Sequence, residues 1–191
     1  MKKELILGIA TMMMVACNMK ANSPSNTAET IPQQTEQAGA NEQTEGINIG
    51  NKFVDIKLPG IQGNMISVSD YVSKNKFTLV DFWASWCGPC RAEMPTVVKA
   101  YTDYHTKGLE VIGVSLDNNQ EAWVNAINQL HMPWPQMSDL IGWDCAGAEL
   151  YGVRSIPANV LIDQQGIIIA KNLRGEDLLN KMAELLGNPE N

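Results

Sequence analysis

Apolar and polar positions divide the chain into unlike regions. Residues 5–16 are an apolar run behind Met1-Lys2-Lys3, too short to span a bilayer as a mature helix. From Asn18 to about Asn48 polar and small residues dominate, and Met19, Ile31 and Ile47 are the only large apolar ones. Such a stretch cannot bury enough surface to offset its chain entropy. Residues 17–48 therefore read as a disordered tether, with an r.m.s. reach on the order of 30 Å.

From Ile49 the pattern is that of a folded domain, taken as 49–188 with a tail at 189–191. Residues 53–58 alternate like a strand, and Pro59-Gly60 and Gly63-Asn64 mark a turn that lets 65–68 pair back as a hairpin. Residues 69–72 open a short helix. Phe77–Trp83 is a continuous apolar run, the mark of a central strand buried on both faces. Residues 90–105 read as a helix with Met94, Val97, Val98 and Tyr101 along one side and a bend at Pro95. Leu109–Ser115 is a second buried strand. Residues 120–130 form a helix that His131-Met-Pro-Trp-Pro135 breaks, and 145–151 make one or two helical turns. Strands at 159–162 and 166–171 are joined by a tight turn, and Glu176–Leu186 is a last helix burying Leu178, Leu179, Met182, Leu185 and Leu186. The order is βαβα, then a ββ hairpin, then α. Strand–helix alternation favours parallel pairing in the first half.

Composition narrows the function. The net charge is −7, which argues against non-specific nucleic-acid binding. Four cysteines are too few for a disulfide scaffold. Two of them, in Trp86-Cys87-Gly88-Pro89-Cys90, follow the Phe77–Trp83 strand and open the next helix. Amides and the macrodipole at a helix N-terminus stabilise a thiolate at Cys87, and Cys90 is near enough to resolve a mixed disulfide. A zinc centre needs four ligands, and there is no second Cys-x-x-Cys, while His105 and His131 lack ligand spacing. No metal and no separate cofactor is expected; the redox group is the Cys87–Cys90 pair itself.

Residues 80–90, Val-Asp-Phe-Trp-Ala-Ser-Trp-Cys-Gly-Pro-Cys, followed by Arg91-Ala-Glu-Met-Pro95, resemble the thioredoxin superfamily. More narrowly they are similar to the exported TlpA/ResA-type thiol-disulfide oxidoreductases. The resemblance implies an α/β thioredoxin fold: a central mixed β-sheet flanked by helices, with an N-terminal β-hairpin extension and an inserted helix. It implies Cys87 as the attacking thiol and Cys90 as the resolving one, both catalytic. It places a cis-proline at Pro157 and a partner groove formed by Trp86, Gly88, Pro89, Ile156 and Pro157. Strand alternation turns Asp81 inward, where burial raises a carboxyl pKa and suits it to accept the Cys90 proton. Glu93, one helical turn past Cys90, is a second candidate for that proton. The run before Cys87, which contains Asp81, has no proline and lacks the Pro-x-x-x-(Thr/Ser)-x-x-Cys pattern of peroxiredoxins. A thiol-dependent peroxidase and a non-catalytic binding module are the alternatives. Cys145 reads as a small buried thiol, with a third redox thiol or a site for an intermolecular bridge as the alternative, and Lys171–Arg174 with Glu176 as a solvated edge.

Met14-Val15-Ala16-Cys17 resembles a bacterial lipoprotein signal, with Met14 where Leu is usual. That makes 1–16 a signal peptide and Cys17 the lipidated N-terminus, anchoring the protein to a membrane. The location expected is the bacterial cell envelope or periplasm, where disulfides persist. The partners expected are envelope protein thiols and disulfides and a membrane electron donor, with no nucleic acid, and the chain acting as a monomer. The direction expected is that of a reductant, in envelope thiol homeostasis or in cytochrome c maturation, where apocytochrome thiols are kept reduced.

Overall fold

The apolar run Phe77–Trp83 is a strand buried along nearly its whole length, and the main sheet is built outward from it. The computed structural model describes residues 44–189. The expected signal peptide, the expected lipidation site Cys17 and most of the expected tether lie outside the described residues. A hairpin of β1 (Lys57–Pro59) and β2 (Met65–Ser67) leads into the one-turn α1 (Ser69–Val72). Then follow β3 (Phe77–Trp83), α2 (Gly88–Tyr104), β4 (Leu109–Ser115), α3 (Gln120–Gln129) and β5 (Gln136–Met137). The chain ends with α4 (Ala146–Leu150), β6 (Ala158–Asp163), β7 (Ile168–Lys171) and α5 (Glu176–Leu186).

The five-stranded sheet has the order β5-β4-β3-β6-β7. β3 and β4 are parallel, as their connection through the crossover helix α2 requires. β6 runs antiparallel to β3, and β7 antiparallel to β6. This is the thioredoxin-like mixed sheet, with the separate hairpin before it. Val80, Leu79, Ile112, Val111 and Leu161 fill its centre. α2 runs through Pro95, which lies on an exposed side, and packs against α5.

Several boundaries differ from expectation, each for a local reason. α2 starts at Gly88 rather than Cys90, because Pro89 in the first turn gives up an amide that has no helical partner there. The first strand shrinks to Lys57–Pro59: Phe53 donates its N–H to the Gly166 carbonyl (2.8 Å) and so joins the turn before β7. β7 starts at Ile168 because that turn consumes Gly166 and Ile167; Asp163 Oδ1 accepts from the N–H groups of Gln165 (3.0 Å) and Ile167 (2.8 Å). The parallel edge strand β5 has only two residues, too few for any period to register in the sequence. On α5 only Leu178 and Met182 are buried, with Leu179, Leu185 and Leu186 half-buried. The last residues assigned to the tether belong to the packed chain. Gly46 donates to the Lys52 carbonyl (2.9 Å), Lys171 Nζ donates to the Ile47 carbonyl (2.9 Å), and Ile47 packs on the core. Among the described residues no helix is long and apolar enough to cross a membrane.

One glycine is required by close approach. Gly113 on β4 stands in register with Asp81 and with Gln136, and the Gln136 amide lies over it to accept from Trp83 Nε1 (3.1 Å). A Cβ at Gly113 would fall 2.1 Å from Gln136 Oε1. Gly113→Ala should displace that buried amide and cost about 1–3 kcal/mol, read as a lower urea midpoint with an unchanged m-value.

Candidate active site

The site is built where β3 gives way to α2. Leu116 donates to the Trp83 carbonyl (2.8 Å) and closes the end of the strand pair. The next residues are clamped from β4: Ser85 donates its N–H to Asp117 Oδ2 (3.0 Å) and its hydroxyl to Asp117 Oδ1 (2.6 Å). Asp117 is itself buried and held by Ser115, whose hydroxyl donates to Oδ2 (2.7 Å). Asp117 was not legible from spacing, since only the β3–β4 register brings it to the loop.

Cys87 is the N-cap of α2, in extended backbone, and its Sγ accepts from the Cys90 N–H at 3.1 Å. The sulfur thus occupies the position a capping oxygen usually takes, facing the free amides of the first turn. Cys87 and Cys90 are disulfide-bonded. Cys90 is 1% exposed and Cys87 5%, so a partner reaches the first sulfur before the second. The rim is formed by exposed Trp86, Gly88 and Pro89.

The Ile156–Pro157 peptide is cis, and the Ile156 carbonyl oxygen lies 3.7 Å from Cys87 Sγ. Pro157 is buried and Ile156 half-buried, so the groove residues expected from the sequence do converge here. Trp86 is half exposed, its Nε1 donating to the Leu116 carbonyl (3.3 Å). Trp143, from the segment before α4, stands with its ring centroid 6.1 Å from that of Trp86 and extends the apolar rim. No local sequence signal marks Trp143 for this place, because only the fold brings it to Trp86.

Asp81 is buried on β3, in register with Gly113 on one side and Asn159 on the other. Its carboxyl is raised to about 7, chiefly by burial; Asn159 lowers it, Glu93 raises it, and Arg174 lowers it. Glu93 is half-buried and accepts from the Gly175 N–H at 2.7 Å. It therefore ties α2 to the start of α5 rather than standing free on the helix face. Arg174 donates from Nη2 to the Pro157 carbonyl. The reading of Lys171–Arg174 as a solvated edge is corrected accordingly: Arg174 is exposed, yet it reaches the cis-proline. No local sequence signal marks it, because only the return of the chain after β7 brings it there.

Cys145 is fully buried, and burial pushes its thiol up. His105 stacks on Tyr101 at the far end of α2, and His131 ends α3. Among the described residues no group of three or more His, Cys, Asp or Glu is placed to hold a metal ion.

Residues 49–171 match the AhpC/TSA family. The chain is 30% identical over 145 residues to the thiol-disulfide oxidoreductase ResA of Bacillus thuringiensis subsp. konkukian, covering 74% of this chain and 79% of the relative. It is 32% identical over 126 residues to the thioredoxin-like protein YneN of Bacillus subtilis, covering 64% of this chain and 70% of that one. Among solved structures, the thioredoxin domain of a thiol-disulfide oxidoreductase from Bacteroides vulgatus superposes with a TM-score of 0.67 at 33% identity, covering 74% of this chain and 99% of that domain. With a Cys-x-x-Cys pair at the head of α2 and a cis-proline against it, the chain belongs to the AhpC/TSA family of the thioredoxin superfamily and is a thiol-disulfide oxidoreductase of the ResA type.

Proposed function

We propose that this protein is an exported, lipid-anchored reductant of protein disulfides in a bacterial cell envelope, acting as a monomer. The observation that carries the thiol-disulfide exchange in this reading is the Cys87–Cys90 pair, with Cys87 Sγ on the α2 amides and the Ile156–Pro157 strand end beside it. The envelope location is supported by the lipobox-like Met14–Cys17 and the polar segment after it. The reduced protein would be regenerated by a thiol pair of a membrane electron donor. Apocytochrome Cys-x-x-Cys-His thiols are one substrate class, suggested by the resemblance to the exported subfamily.

In this mechanism the Cys87 thiolate attacks one sulfur of a partner disulfide. A mixed disulfide forms and the partner's other sulfur leaves as a thiolate. The Cys90 thiol gives its proton to Asp81 and attacks Cys87 Sγ. The Cys87–Cys90 disulfide forms and the partner's second sulfur leaves, so two electrons have passed to the partner. Trp86, Gly88, Pro89, Ile156 and Pro157 hold the partner segment meanwhile. Glu93 contributes through Asp81 and through Gly175.

Cys90→Ser should halt the sequence at the first step, leaving a partner bound to Cys87 through a bond that dithiothreitol releases. The same adduct on the Cys87→Ser, Cys90→Ser double variant would overturn the assignment. Equilibration with glutathione should give a potential nearer the thioredoxin end, about −270 mV, than the DsbA end, about −120 mV. A value at the latter end would remove the reductant reading.

Asp81 makes two pH-dependent predictions. Its folded pKa, about 7, lies above the unfolded value, so its contribution to stability is complete below pH 4 and is lost as pH rises through 7. Asp81→Asn should therefore raise the urea midpoint at pH 8 and leave it nearly unchanged at pH 4. Resolution of a glutathione mixed disulfide on Cys87 should accelerate through about pH 7 in the natural protein. It should be slower by at least about tenfold in Asp81→Asn.

A further inference from the structure

The segment between β7 and α5 is fastened to the redox end at three separate points. Asn159 accepts from the Leu173 N–H (2.9 Å) and donates Nδ2 to the Leu173 carbonyl (2.8 Å). Gly175, with φ +50°, donates its N–H to Glu93 Oε1 (2.7 Å). Between them, Arg174 donates Nη2 to the carbonyl of Pro157. Pro157 lies two residues before Asn159, which is the β6 register partner of Asp81. The guanidinium is thereby held at the end of the strand beside Asp81. Among the described residues the ion pairs are Lys57–Asp55, Lys99–Asp103 and Lys181–Glu184, so Arg174 has no carboxylate in salt-bridge contact. Its direct partner is a neutral carbonyl, and its charge acts through space.

The groups that face Asp81 can be named element by element. β4 presents Gly113 and β6 presents Asn159, both uncharged. α2 contributes Glu93, and the segment before α5 contributes Arg174; these are the charged groups that act on Asp81. Glu93 opposes ionisation of Asp81, since two like charges in a water-poor site repel strongly. A carboxyl that is to accept the Cys90 proton must be ionised beforehand, so something has to offset Glu93.

We propose that Arg174, anchored on the Pro157 carbonyl, is a positioning residue for thiol exchange: it supplies positive charge that offsets part of the Glu93 repulsion and helps keep Asp81 available as proton acceptor. The inference rests on the proton-acceptor role assigned to Asp81 above. It makes the loop before α5, which carries no reacting atom, part of the control of the resolving step. The anchor fixes where the exposed, solvent-screened guanidinium sits, so that its charge acts on Asp81 from one place.

The test follows the Asp81 carboxyl by ¹³C NMR titration in the oxidised full chain. Arg174→Gln should move its midpoint up by about 0.5 pH unit. Arg174→Lys, which keeps the charge, should move it by less than half as much, and Glu93→Gln should move it down. Resolution of the glutathione mixed disulfide should show the same displacement of its pH profile in Arg174→Gln. An Asp81 midpoint that stays put in Arg174→Gln, with the unfolding midpoint preserved, overturns the proposal. So does an equal shift in Arg174→Lys and Arg174→Gln, which would mark the effect as structural rather than electrostatic. If Arg174→Gln does not fold, the Arg174→Lys and Glu93→Gln titrations still decide. Failure of the Asp81 assignment is read separately: Asp81→Asn would then keep the natural pH profile of resolution, whatever the Arg174 variants do to the Asp81 midpoint.

Discussion

The first turn of an α-helix has amide groups with no partner inside the helix, and in this protein the Cys87 sulfur stands among them. The rest of the site follows from that placement. For the sulfur to cap α2, the chain must leave β3 and turn within a few residues. That turn is held by Ser85 on Asp117 and by the Cys87 N–H on the Ala84 carbonyl (3.1 Å). β3 must in turn be central and fixed, which its buried apolar residues between β4 and β6 ensure. The same β6 pairing delivers Pro157 to the sulfur, because Ala158 is in register with Phe82.

Against this apolar background a buried polar row crosses the sheet. Asn159, Asp81, Gly113 and Gln136 are successive register partners over four strands. An unpaired carboxyl in such a place costs free energy, and the raised proton affinity of Asp81 expresses that cost. The neighbours moderate it without removing it. Asn159 is largely committed to Leu173, and the Gln136 oxygen is committed to Trp83. The row is therefore better suited to holding a proton near neutrality than to maximising stability, as expected of a carboxyl with a chemical task.

The sequence revealed elements whose pattern is strong within a few residues. Phe77–Trp83, Leu109–Ser115 and Glu176–Leu186 have the bounds their periodicity suggested. The motif residues also converge: Cys87, Cys90, Trp86, Ile156 and Pro157 meet at one end of the sheet. Features created by tertiary return were not legible. Asp117 acts on Ser85 across the β3–β4 register, Trp143 reaches Trp86 from the segment before α4, and Arg174 reaches Pro157 from beyond β7. In each case the partners are far apart in sequence and ordinary in type. β5 escaped for a different reason, since two residues directly after Pro135 hold no period.

The charges around the pair bear on the direction of electron flow. Whatever stabilises the Cys87 thiolate favours the dithiol form and makes the couple more oxidising, as in DsbA. The α2 amides push in that direction. Burial pushes the other way, because a thiolate loses solvation while the disulfide carries no charge. The carboxyls of Asp81 and Glu93 act in the same sense as burial, since a thiolate formed near them adds a further negative charge to the site. Arg174 offsets only part of this, being exposed and bonded to a carbonyl rather than to either acid. The reductant direction proposed above requires burial and the two carboxyls to outweigh the helix terminus and the screened guanidinium, so that the disulfide is favoured over the dithiolate.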